Sequence, residues 1–95
     1  MALFVLNCID KAGGLDLRLA TRASHLDYLK GTGSQVKLAG PYLDEAGQPT
    51  GSMLVIEAEN LAAAQAFADA DPYKIAGHFS QTEVRGFRLV LGGLA

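Results

Sequence analysis

Cysteine occurs once in these 95 residues, tryptophan never, and charged side chains make up only 19% of the chain. Each shortage removes a class of protein. The lone cysteine, Cys8, sits in an apolar run and can build neither a disulfide framework nor a cysteine-rich zinc site, which makes a reducing, cytoplasmic compartment the natural expectation. Eight Lys and Arg against ten Asp and Glu leave a net charge of -2, so there is no electrostatic reason to bind nucleic acid. No apolar run approaches the roughly 18 residues that span a bilayer, and the opening Met1–Leu6 has no basic leader, so no membrane partner is expected. Glycine-rich phosphate loops, nucleophile elbows and dinucleotide fingerprints are missing. His78, taken with Cys8 or His25, lacks metal-ligand spacing, and neither a metal nor another cofactor is expected.

What the chain has in quantity is core-forming material, 49% of its residues. One domain over residues 1–95 is expected, and that content is more than a lone domain of this size readily hides. Ala2–Ile9 reads as a strand apolar on both faces, with Leu3 and Val5 on one side and Phe4, Leu6 and Cys8 on the other. Lys11–Gly14 forms a turn. A helix from Leu15 to Lys30 follows, ended by Gly31-Thr32-Gly33. On that helix Leu15, Leu19, Ala23 and Leu26 share one stripe, expected to pack, while Arg18, Arg22 and His25 share the charged stripe beside it.

Residues 34–43 predict a second strand with a bend or bulge at Gly40-Pro41, and residues 51–58 a third, again apolar on both faces. Asn60 is a good cap for a helix over 61–70 that buries Leu61, Ala64, Phe67 and Ala68. Pro72 suits the first turn of a short helix reaching Ala76, capped by Asp71. Residues 79–91 predict the last strand, with Val84, Phe87, Leu89 and Leu91 available for burial and a kink at Gly86. The order is that of an α+β, ferredoxin-like split βαβ domain: a four-stranded antiparallel sheet with two main helices on one face. The other face, apolar along strands one and three, is expected to dimerise. Covering even about 500 Å2 of it would contribute on the order of 12 kcal/mol before association costs.

Asp10-Lys11-Ala12, Arg18-Leu19, Arg22, His25-Leu26, Gly40-Pro41, Gly51-Ser52 and Ala68-Asp69-Ala70-Asp71-Pro72-Tyr73, followed by Ala76-Gly77, together resemble the YciI-like family over nearly the whole chain. The resemblance implies a ferredoxin-like fold, dimers in the manner of dimeric α/β barrels, similarity to muconolactone isomerase, and an active site built on a His-Asp pair, here His25 and Asp71. One branch includes a dehydrochlorinase acting on a chlorinated hydroxyhydroquinone. The chain departs from the family in a short loop before Gly51 and in His78-Phe79, which stands where a small or apolar pair is more usual.

A carboxylate in reach of an imidazole orients the ring, and such a pair can serve as general base and acid. His25 and Asp71 are the candidate catalytic residues; the plainer alternatives are a surface histidine in a structural hydrogen bond and an aspartate that only caps the short helix. Arg18 and Arg22, one turn apart, could clamp a carboxylate or phenolate, or could be solvated surface charges. Ser52 could offer a hydroxyl and Tyr73 a ring to the same ligand, or could serve strand edge and helix alone. The expected function is a cofactor-free isomerase or lyase, dehydrochlorinase-like, that moves a proton on a small anionic or hydroxylated ring. A non-catalytic ligand-binding or stress-associated accessory dimer is the alternative.

Overall fold

The computed structural model describes residues 2–93, so both ends of the expected 1–95 domain lie outside it. The elements run β1 (Ala2–Asp10), α1 (Leu15–Lys30), β2 (Val36–Leu43), β3 (Pro49–Ala58), α2 (Leu61–Asp69), α3 (Pro72–Ile75) and β4 (Phe79–Phe87). All strand pairs are antiparallel and the sheet order is β2-β3-β1-β4. This is the α+β ferredoxin-like arrangement expected from the order of elements.

Alternation along the two central strands sorts their side chains. Phe4, Leu6 and Cys8 of β1 and Leu54, Ile56 and Ala58 of β3 face the helices, where Ala64, Phe67 and Ala68 of α2 complete the core. The small residues let α2 lie close to the sheet. Asn60 caps it by accepting from the Ala63 amide at 2.8 Å, and the Tyr28 hydroxyl ties α1 to it by donating to the Phe67 carbonyl at 2.9 Å. Gly51 is needed where β3 passes β1 most closely, because a Cβ there would lie 2.4 Å from the Cys8 carbonyl oxygen. Tyr42 uses the same flat spot, reaching across it to hydrogen-bond Asn7.

Several boundaries differ from the sequence reading. Residues 31–35 are consumed in closing α1, with Gly33 in the left-handed region and the Thr32 hydroxyl donating to the Leu29 carbonyl, so β2 begins at Val36. Gly40 and Pro41 keep register with Met53 and Ser52 instead of marking a bulge; the irregularities fall at Val36/Leu38 and Tyr42/Leu43. Proline is tolerated because β2 is an edge strand. Gly86 likewise pairs regularly with Phe4, and the shift in that pairing occurs between Ile9 and Asp10. β4 stops at Phe87, opposite Leu3, because β1 has almost run out there. Leu89 and Leu91 are therefore exposed rather than buried, as are Phe87 at the strand's end and Leu61 at the first turn of α2.

The largest correction concerns α1. Its buried residues are Arg18, His25 and Leu29, whereas Leu15, Leu19 and Leu26 are 37%, 57% and 38% exposed. Arg18 and His25 of the charged stripe turn inward because partners wait for them, Asp10 and Ser52 at one end of the sheet and Asp71 at the start of α3, while Arg22 stays exposed. The leucines meet no neighbours that bury them.

Candidate active site

The inward stripe of α1 faces β2 and β3 across a cavity of about 230 Å3. Arg18, Arg22, His25 and Leu29 form its helix wall, and Leu19 and Leu26 stand at its margin. Ala39, Gly40 and Pro41 of β2 with Ser52 and Leu54 of β3 form the opposite wall, and the Tyr73 ring closes one end. A cavity of about 150 Å3 holds benzene, so this one suits a single substituted ring.

His25 and Asp71 meet at this wall. His25 Nδ1 lies 2.8 Å from Asp71 Oδ1, and both side chains are buried. The same oxygen accepts from the Tyr73 amide at 2.9 Å, so Asp71 caps α3 and holds the imidazole with one atom. Pro72, at the first helical position, fixes the backbone that presents it. Because Nδ1 facing a carboxylate must carry the proton, Nε2 is the basic nitrogen of neutral His25. The Tyr73 ring stacks on the imidazole with centroids 4.1 Å apart. Burial pushes the Tyr73 phenol up, against the pull of the Arg18 and Arg22 charges, so the hydroxyl stays protonated at neutral pH.

The two arginines occupy different situations. Arg18 is buried and fastened: Nε donates to Asp10 Oδ2 at 2.8 Å, while Nη2 reaches Asp10 Oδ1, the Gly51 carbonyl and Ser52 Oγ at 3.1, 2.9 and 2.8 Å. Its Cζ lies 4.8 Å from the Tyr73 ring centroid, a cation–π contact. Arg22, one turn along, is exposed, lines the cavity and has no ion-pair partner among the described residues. Ser52 is buried and accepts from Arg18, which leaves its own hydroxyl proton free to donate.

Asp10 and His78 were missed as site residues. Burial raises the Asp10 carboxyl, but the hydrogen bonds and charge of Arg18, and then the nearby His78, outweigh it and hold the group below the usual range. His78 is fully buried with Nε2 2.9 Å from Asp10 Oδ2. The available signal was position: an aspartate at the end of a central strand, and a histidine where β4 begins. Among the described residues, no three or more His, Cys, Asp or Glu side chains are grouped to hold a metal ion, and no helix is long and apolar enough to cross a membrane.

The fold and its surroundings have counterparts among known proteins. A protein named YciI from Escherichia coli is 40% identical over 96 aligned residues, spanning 93% of this chain and 98% of its own. A Haemophilus influenzae relative is 38% identical, spanning 92% and 97%. The solved structure of 5-chloro-2-hydroxyhydroquinone dehydrochlorinase (TftG) from Burkholderia phenoliruptrix, in complex with 2,5-dihydroxybenzoquinone, superposes with a TM-score of 0.83 at 32% identity, covering 90% of this chain and 93% of that one. The model of the YCII-related domain matches residues 2–88, and the chain belongs to that family.

Proposed function

We propose that the chain is a cofactor-free enzyme that moves a proton on a small hydroxylated or quinonoid ring, as an isomerase or as a lyase of the dehydrochlorinase kind. The carrying observation is the 2.8 Å His25–Asp71 contact at the wall of a ring-sized cavity beside Arg22. Nε2 of His25 accepts a proton from the substrate, and Asp71 stabilises the imidazolium that forms. The negative charge left on the substrate oxygen faces Arg22, with Arg18 behind it. Returning the proton to another atom completes an isomerisation; loss of the proton together with an anionic leaving group completes an elimination. Ser52 and the Tyr73 ring help to orient the ring. The working unit is a homodimer formed through the open sheet face, in the cytoplasm.

Asp71→Asn gives the sharpest test, because asparagine caps a helix nearly as well as aspartate. Thermal shift with 2,5-dihydroxybenzoquinone and small hydroxylated aromatics identifies a ligand, and turnover of its hydroxylated or halogenated relatives is then followed. His25→Ala and Asp71→Asn are expected to lower kcat by about 10²–10⁴, with Asp71→Asn melting near the wild type. Full activity in both variants would remove the dyad from the chemistry. Binding without turnover of any such ring would favour the accessory ligand-binding role.

A further inference from the structure

Two histidines pack against the Tyr73 ring. His25 stacks on it at 4.1 Å, and His78 lies tilted at a centroid distance of 5.2 Å. Each imidazole meets a carboxylate from a different element: His25 meets Asp71 of α3, and His78 meets Asp10 at the end of β1. The second pair has no place in the proton transfer described above, yet its side chains are 0% and 7% exposed. A fully buried imidazole is costly there, since Nδ1 has no partner among the described residues and Nε2 approaches Asp10 too obliquely for a full hydrogen bond. An apolar side chain at position 78 would avoid that cost. The ring is nonetheless accommodated closely, for a Cβ on Gly14 would lie 3.1 Å from His78 Cε1.

We propose that His78 is a positioning residue of the cavity: through Asp10 it fixes the guanidinium of Arg18, and through Tyr73 it fixes the plane on which His25 stacks. Asp10 Oδ2 faces both Arg18 Nε at 2.8 Å and His78 Nε2 at 2.9 Å, so the histidine supports the carboxylate that chelates Arg18. Arg18 in turn spans Gly51, Ser52 and the face of Tyr73. Freed from His78, the carboxylate can rotate, and the guanidinium loses its fixed seat under the cavity.

The tautomers follow. At 2.9 Å a carboxylate oxygen repels an unprotonated, electron-rich nitrogen even on an oblique approach, so neutral His78 carries its proton on Nε2, whereas His25 carries its own on Nδ1. Only two histidines are present, which makes both assignable in long-range ¹H–¹⁵N spectra of the wild type. Opposite tautomers are expected; a His78 protonated on Nδ1 overturns the proposal without any variant. His78→Leu is then expected to speed hydrogen exchange at Arg18 Nε by about tenfold or more and to shift the His25 ring resonances. His78→Gln, which retains a donor, is expected to restore both. Unchanged Arg18 exchange and His25 resonances in His78→Leu overturn the proposal. It rests on the same cavity being the working site, but these spectra need no substrate, so a chain that turned over no ring would count against the enzymatic reading alone.

Discussion

At the scale of single residues, Asp10 and Asp71 show how one acid can be asked to hold two groups at once. Asp71 was legible as a cap because Pro72 follows it, and as a partner of His25 by family resemblance; the same Oδ1 performs both tasks. Asp10 was not legible, since its role depends on Arg18 eight positions on and His78 at the far end of the chain. Its carboxyl is held below the ordinary value of 3.8, and a depressed folded-state value contributes stability that is present above the ordinary value and lost as the pH falls through the folded one. Asp10→Asn is therefore expected to melt well below the wild type at neutral pH, since it leaves the Arg18 charge buried without its partner at a cost of about 3–5 kcal/mol. The gap should close on acidification below about pH 4. A gap in melting temperature that stayed constant from neutral pH into acid would show that the Asp10 charge does not contribute in this way. Cys8 makes the contrast: burial, and then the Asp71 charge, push its thiol up to about 12, so it belongs to the core and offers no nucleophile at neutral pH.

Elements were read well where a local signal set them and poorly where a distant partner did. Asn60, Pro72 and Gly77 announce the starts and stop of α2 and α3, and those helices lie within a residue of the expected ranges. The end of β4 was misjudged because its last apolar residues need a neighbour that β1 no longer supplies. On α1 the 3.6-residue period identified both stripes but not which one faced inward. Leucine normally wins that contest by burial, and here it loses to buried partners for arginine and histidine. Leu19 and Leu26 then rim the cavity, while Leu17 is exposed away from it. Leu19→Ala should change stability by no more than about 0.5 kcal/mol but weaken binding of a planar six-membered ring by roughly tenfold, or about 1.4 kcal/mol. Leu17→Ala should change neither. Equal effects of the two variants in a titration with 2,5-dihydroxybenzoquinone would remove the rim from recognition.

For the whole molecule, the sequence already showed an excess of apolar residues, and the sheet displays where that excess lies. The face away from the helices carries Leu3, Val5 and Ile9 of β1 beside Met53 and Val55 of β3, with Phe87 opposite Leu3 on β4. Charged pairs stand at its margins, Lys37 with Glu57 and Arg85 with Glu83, giving an apolar centre with a polar rim. Beyond β4, Leu89, Val90 and Leu91 are also exposed. The expected partner is a second copy of the chain, packed sheet against sheet. Val5 is the residue to change, because it sits on a central strand opposite Val55 and its side chain points away from the core. Val5→Glu would bring an added carboxylate from each copy into the interface, where the cross-strand Arg85 is already paired with Glu83, so the cost of desolvating those charges opposes association. Sedimentation should give twice the chain mass for the wild type and the single chain mass for Val5→Glu, with the β-sheet circular dichroism unchanged. A wild type that sediments as a single chain would show that the apolar face is left open to water, and a dimeric Val5→Glu would place the contact elsewhere on the molecule.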